Sequence, residues 1–294
     1  MGKGLGVVIT GVVFSVVGLA LAGVCAKAAY DDFKDNSNYV QGEFKLNDKK
    51  KITIEASEGT LNLHHSTTSE SYVKYNVLEY CKVKYDEEEN KIELRRKWRW
   101  GLVLFTWYKE NKSTVDVYLT DDDYDAYLEL NAGKFNVDSD FNFNTLTIDV
   151  SAGEFNFNGN INVKDDAYFK ISAGDLNLNG TVKVEDEAKL KVSAGDMNVK
   201  YLEAKKVDAR VSAGDMTIAK VKSDDIYFKI SAGDINMNIL GDKADYKIKI
   251  EESAGSCYIN EKSTKGDYEK EEGSKNLEGH LSAGSAKINF VESN

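Results

Sequence analysis

From residue 131 onward one short motif returns about every twenty residues, and that return decides what the chain can become. It reads NAGKFNV at 131–137, SAGEFNF at 151–157, SAGDLNL at 172–178 and SAGDMNV at 193–199. SAGDMTI follows at 212–218, SAGDINM at 231–237, SAGSCYI at 253–259 and SAGSAKI at 282–288. The glycines are Gly133, Gly153, Gly174, Gly195, Gly214, Gly233, Gly255 and Gly284, spaced by 20, 21, 21, 19, 19, 22 and 29 residues. A period of this length marks stacked units, none of which can bury its apolar face alone.

Side-chain parity identifies the unit. Before Gly174 the apolar residues are Ala167, Phe169 and Ile171; after it they are Leu176 and Leu178. A period of two means strand on both sides, and the one-residue slip means a corner at the glycine, which has no Cβ to obstruct the turn. Stacked in register, the coils give one inward ladder of Val150, Ile171, Val192, Val211 and Ile230. A second reads Phe155, Leu176, Met197, Met216 and Ile235. Ala152, Ala173, Ala194, Ala213 and Ala232 are expected to line the corner, where only a small side chain would fit. The expected fold class is all-β: a parallel β-solenoid (β-helix) of about 20 residues per coil. Right-handed winding is expected because right-handed crossovers dominate parallel connections.

One amino-terminal transmembrane helix is expected before the solenoid. Gly4 to Ala26 are 23 consecutive uncharged residues, enough at about 1.5 Å each to cross a hydrocarbon core of about 30 Å. A cleaved signal peptide is the rival reading, with Ala26 and Ala28 as a small-x-small site. Lys3 precedes the span, while Lys27 is soon countered by Asp31 and Asp32. The positive-inside rule then leaves the carboxyl-terminal body outside the cell. Gly11, Ser15, Gly18, Ala22 and Ala26 form a small-residue stripe along such a helix, where a second helix could approach.

The organisation expected is a cytoplasmic stub and anchor at 1–29, a short linker at 30–44, an amino-terminal β cap with irregular first coils at 45–130, and the regular solenoid at 131–294. SEGTLNL at 57–63 looks like a degenerate first corner, with Leu61 and Leu63 inward. The repeat decays late: Glu252 stands where earlier coils carry Val or Ile, and a charged insertion at 261–280 reads as a solvated loop. Charged, irregular end coils blunt open strand edges.

Charge and composition narrow the function. A net charge of −11 argues against nucleic acid as a partner. Three cysteines do not make a disulfide scaffold, and three histidines leave little for a His-based metal site. Cys81 and Cys257 have inward parity and read as core residues, with a disulfide between them as the alternative. No catalytic, cofactor-binding or metal-ligating residue is expected. The corner serines repeat in every coil, whereas nucleophilic catalysis needs one serine beside a base.

The most distinctive segment contains Arg95, Arg96, Trp98, Arg99 and Trp100, then Trp107 and Tyr108, and holds all three tryptophans. It reads either as a capping hairpin sealing the rod's end or as a contact patch for protein, sugar or anionic headgroups. The acids Glu154, Asp175, Asp196, Asp215 and Asp234 stack in successive coils. Lys170, Lys191, Arg210 and Lys229, five residues before four of them, are expected to compensate them across the corner; bound calcium is the rival reading. Asn136, Asn156, Asn177, Asn198 and Asn236 form an outward ladder that should bond amide to amide between coils. A glycan-binding face is the alternative.

The SAGD-type corners, the run Val115–Leu119 leading into Thr120–Tyr124 and the single anchor resemble the bacterial "putative adhesin" family of β-strand-repeat proteins, over roughly residues 40–294. Members often carry proline where Thr120 stands, so that junction departs from the pattern. The resemblance implies a cell-surface protein associated with the envelope or its stress response, and carries over no catalytic residue. The expected function is therefore non-enzymatic: a membrane-anchored extracellular solenoid acting as an adhesin or an envelope-binding scaffold, with an envelope protein or cell-wall glycan as partner. A regulatory partner of an envelope-stress membrane sensor is the second expectation.

Overall fold

The computed structural model describes residues 39–96, 112–120 and 123–292. Over these residues the chain is all-β and solenoid-like, with one turn of 3-10 helix at Lys243–Asp245. In a representative layer Ala167–Ile171 runs into the corner at Gly174 and residues 175–178 run out of it. A further bend near Gly180 leads to residues 182–184, and the next returns the chain to 188–192, one layer on. Neighbouring layers pair in parallel and in register, Ile171 with Val192 and Leu176 with Met197.

Both inward ladders are at most 2% exposed, and the rings of Phe135 and Phe155 stack at 4.4 Å within the core. Each such side chain contributes roughly 1.5–3 kcal/mol by leaving water. No layer holds enough of them to fold by itself.

The corner depends on its glycine for two reasons. Seven of the eight repeat glycines have φ between +92° and +107°, a region that side chains with a Cβ avoid. The layers also touch there: a Cβ on Gly195 would lie 2.2 Å from the carbonyl oxygen of Gly174. That oxygen accepts from the Asp196 N–H at 3.0 Å, and Gly153 accepts likewise from Asp175 at 2.8 Å. Gly255 is the exception, since Tyr246–Ile259 passes through it as strand without a positive φ.

The corner alanines correct the sequence reading. Ala152, Ala173, Ala194, Ala213 and Ala232 are exposed. Between inward Ile171 and inward Leu176 the turn places four residues outside, so the tight packing falls on glycine backbone and the alanines form a ridge in solvent.

Layer order departs from chain order at both ends. Lys51–Ala56 and Thr60–His65 lie between the layer formed by Lys91–Arg96 with Thr114–Leu119 and the layer that contains Gly133. The SEGTLNL segment is thus a full second layer, with Gly59 at φ +75°. At the far end Lys275–Val291 inserts between the Gly233 layer and Tyr246–Ile259. The SAGSAKI layer therefore stacks on SAGDINM, and SAGSCYI is outermost. Residues 261–280 accordingly are no simple loop: 275–280 are strand, and Lys262–Ser263 and Tyr268–Lys270 pair antiparallel with the outermost strand. Among the described residues ten layers result, and nine steps of about 4.8 Å give a rod of roughly 43 Å.

The ends are blunted by antiparallel strands and side chains. Tyr72–Leu78 covers Thr114–Leu119, Tyr39–Lys45 covers Tyr72–Leu78, and Cys81–Asp86 covers Lys91–Arg96. At the opposite end the Glu252 N–H donates to Asp267 Oδ1 at 2.8 Å, and the Cys257 N–H donates to Glu252 Oε1 at 3.2 Å. Thr264 donates to the same Glu252 oxygen. This is what glutamate does at the ladder position otherwise held by Ile230 and Leu281: it occupies an edge donor that a further strand would use. Cys81 and Cys257 are buried at opposite ends of the rod, so the alternative of a disulfide between them is excluded. Burial and the nearby Glu252 push the Cys257 thiol up to about 12.

Candidate interaction surface

Asparagine follows most corner glycines by three residues, and on strands this spacing aligns the amides on one outward face. Asn198 donates to Asn177 at 3.1 Å, Asn177 to Asn156 at 2.9 Å, Asn156 to Asn136 at 3.4 Å and Asn136 to Asn62 at 3.0 Å. The run ends where Asn62 donates to the Asp116 carboxylate at 2.8 Å. A second run goes from Asn179 to Asn158 to Asp138, at 2.8 and 2.6 Å. Both point the same way along the rod and finish on a carboxylate, an acceptor that no longer needs to donate. Asn236 lies beyond Thr217, outside the unbroken run.

Four residues before each corner lies another ladder, in the order Glu93, Glu55, Glu129, Asp149, Lys170, Lys191, Arg210, Lys229, His280 and Glu251. Its acidic half escaped the sequence reading, although Glu55, Glu129 and Asp149 each precede their glycine by four. Glu55 and Glu93 are buried carboxylates held by Lys91 at 2.7 and 2.9 Å and by Arg95 at 3.4 and 2.9 Å. Burial raises the Glu55 carboxyl, but the hydrogen bonds and charges of Lys91 and Arg95 outweigh it and hold the group below its usual value. Hydrogen bonds to Glu55 and Glu93 push Lys91 up to about 12.

The expected compensation across the corner takes another form. Lys170 pairs with Asp149 at 2.6 Å and Arg210 with Asp208 at 2.8 Å, both on the strand side. Glu154 pairs with Lys134 at 2.9 Å. Among the described residues no ion pair reaches Asp175, Asp196, Asp215, Asp234, Lys191 or Lys229. No group of three or more acidic, histidine or cysteine side chains there is arranged to hold a metal ion.

Of the aromatic-basic patch, Arg95 and Arg96 lie in described strand, Arg95 in the carboxylate cluster and Arg96 over the Tyr80 ring at 5.1 Å. Trp98, Arg99, Trp100, Trp107 and Tyr108 lie outside the described residues, as do Gly11, Ser15, Gly18, Ala22, Ala26 and the expected membrane span. Among the described residues no helix is long and apolar enough to cross a membrane. The strands flanking the patch, Lys91–Arg96 and Thr114–Leu119, form the end layer, and buried Ser113 stands where other layers have glycine. Tyr39–Lys45, the first described strand, lies at this same end.

The family model described as Toastrack DUF4097 matches residues 33–294. Among solved structures, one described as a "putative adhesin" from Bacteroides fragilis NCTC 9343 is 14% identical, with a TM-score of 0.52 over 86% of this chain and 97% of that chain. A "putative adhesin" from Parabacteroides merdae ATCC 43184 is 13% identical, with a TM-score of 0.41 over 87% of this chain and 97% of that one. A "putative lipid binding protein" from Parabacteroides distasonis ATCC 8503 is 14% identical, with a TM-score of 0.42 over 87% and 98%. No curated protein matches the chain. At 14% identity the likeness to the Bacteroides fragilis structure is one of fold.

Proposed function

The chain belongs to the Toastrack DUF4097 family, and from that premise we propose that it is a non-enzymatic, adhesin-like rod anchored in the plasma membrane by residues 4–26, with its solenoid outside the cell. The observation that carries this reading is the placement of the end layer. The first described strand and both strands flanking the tryptophan-rich segment occupy one end of the rod, which supports a reading in which the anchor and the aromatic-basic patch act at that end. Trp, Tyr and Arg favour the boundary between apolar and aqueous phases, and anionic headgroups attract the arginines. The patch then steadies the rod on the membrane, and the far layers stand about 43 Å away, available to an envelope protein or a surface glycan.

The three tryptophans all lie in this patch, so tryptophan emission, excited selectively over tyrosine, reports on it alone. In proteoliposomes of the full chain, lipids brominated near the headgroup should quench that emission, more strongly with anionic lipid present. A carboxyl-terminal tag should be cut by protease added to intact cells. Unquenched tryptophan would refute the patch reading, and a protected tag would refute the orientation.

A further inference from the structure

The corner carries two rails of opposite charge with almost nothing between them. On one side Lys170, Lys191, Arg210 and Lys229 stack in four successive layers; on the other stand Asp175, Asp196, Asp215 and Asp234. Only the serine, alanine and glycine of each corner separate the rails, and the alanines are exposed. Each rail places like charges about 4.8 Å apart, an arrangement that calls for a counter-charge. Among the described residues none reaches the four aspartates, Lys191 or Lys229, while Lys170 and Arg210 are held by Asp149 and Asp208.

We propose that a second copy of this chain supplies the counter-charge by packing corner against corner, with the two rods parallel and their layers in register. A two-fold axis running along the ridge of alanines turns the cationic rail of one copy onto the anionic rail of the other. Lys191 then meets Asp196 of the second copy, Lys229 meets Asp234, and each contact occurs twice. Antiparallel rods facing each other across the same ridge would oppose cation to cation, so the charge pattern selects the parallel arrangement. The small corner residues allow the backbones to come close, and a larger side chain in place of alanine would hold the rails apart.

Four layers make a short strip, far below the roughly 800 Å² per partner of a stable interface. The contact is therefore weak and salt-sensitive, and is populated where both copies share a membrane and their effective concentration is high. That last condition rests on the anchored reading above; the pairing of the rails does not.

Cysteine cross-linking of the full chain in cell membranes, in a Cys25→Ser background, tests the proposal. Ala194→Cys lies on the axis and should give an oxidised dimer, whereas Lys183→Cys, exposed on another face, should not. Adding Lys191→Glu with Lys229→Glu, or Asp196→Lys with Asp234→Lys, should reduce the Ala194→Cys dimer at least tenfold. Co-expressing the two reversed forms with distinguishable tags should restore a mixed dimer. Equal cross-linking at residues 183 and 194, or a dimer indifferent to charge reversal, would overturn the proposal. Sedimentation of the chain with membranes, followed in parallel, reports the anchor separately. A chain found only in the soluble fraction is cross-linked again at high concentration and low salt, where a monomer at residue 194 would equally overturn the pairing.

Discussion

Gly174 sits so closely over Gly153 that a Cβ on it would lie 2.2 Å from the Gly153 carbonyl oxygen, with its own φ at +93°. Gly174→Ala therefore meets both backbone strain and a contact with main chain that cannot move aside. It should lower stability by at least about 2 kcal/mol. Gly266 has a comparable φ of +109° but nothing within 4 Å of a Cβ. Gly266→Ala isolates the backbone contribution and should cost only about 1 kcal/mol. Denaturant titrations of the two variants separate these effects.

Asn156 is the hinge of the amide ladder, accepting from Asn177 and donating to Asn136 and to Glu154 Oε1 at 2.9 Å. Its hydrogen bond is the largest influence holding the Glu154 carboxyl below its usual value of 4.5, ahead of Lys134. A lowered carboxyl contributes stability above 4.5 that disappears as pH falls through the folded value. Asn156→Ala should thus raise the Glu154 pKa towards 4.5, measured by NMR titration, and shrink the share of acid destabilisation that Glu154 contributes.

Lys91→Met leaves Glu55 and Glu93 buried with Arg95 alone. Breaking such a cluster should cost about 3 kcal/mol at neutral pH. The penalty should shrink below pH 4.5, where protonation of Glu55 removes the uncompensated charge. In the parent chain the contribution of Lys91 is complete below 10.5 and is lost as pH rises through about 12. Thermal melts across pH 3–8 read the acid side directly.

Glu252→Val would restore the repeat's apolar ladder while releasing the Cys257 N–H at the outermost strand. The repaired repeat should behave worse than the parent, associating end to end in light-scattering chromatography. Asp267→Ala, which frees the Glu252 N–H, should act in the same direction.

Much of this architecture could be read from the chain because strand parity and corner glycine are local signals. Phe169, Ile171, Leu176 and Leu178 announce their facing without knowledge of any other coil. The order of the end layers is not local. Between Ile218 and Ile235 the connections are too short to skip a layer, so sequence order and stacking order agree. After Leu119 and after Leu240, by contrast, the chain passes over a layer, that of Lys51–Ala56 with Thr60–His65 in one case and that of Lys275–Val291 in the other, and no periodicity marks where it lands. Asp116 as terminus of the amide ladder was hidden for the same reason, since its layer has no repeat glycine from which to count. The outward alanines were misread because the corner takes four residues outside, and alternation before and after it does not reveal that number.

The proposed rod stands on the membrane by its amino-terminal end. Energy transfer from a dye at Glu88→Cys or Lys262→Cys to an acceptor in the lipid headgroups, with the full chain in vesicles, measures this directly. The first position lies in the hairpin over the end layer of Lys91–Arg96 and the second beside the outermost layer at the far end. Transfer should be strong from residue 88 and near background from residue 262, consistent with about 43 Å between the ends. Equal transfer from both, or stronger transfer from residue 262, would contradict it.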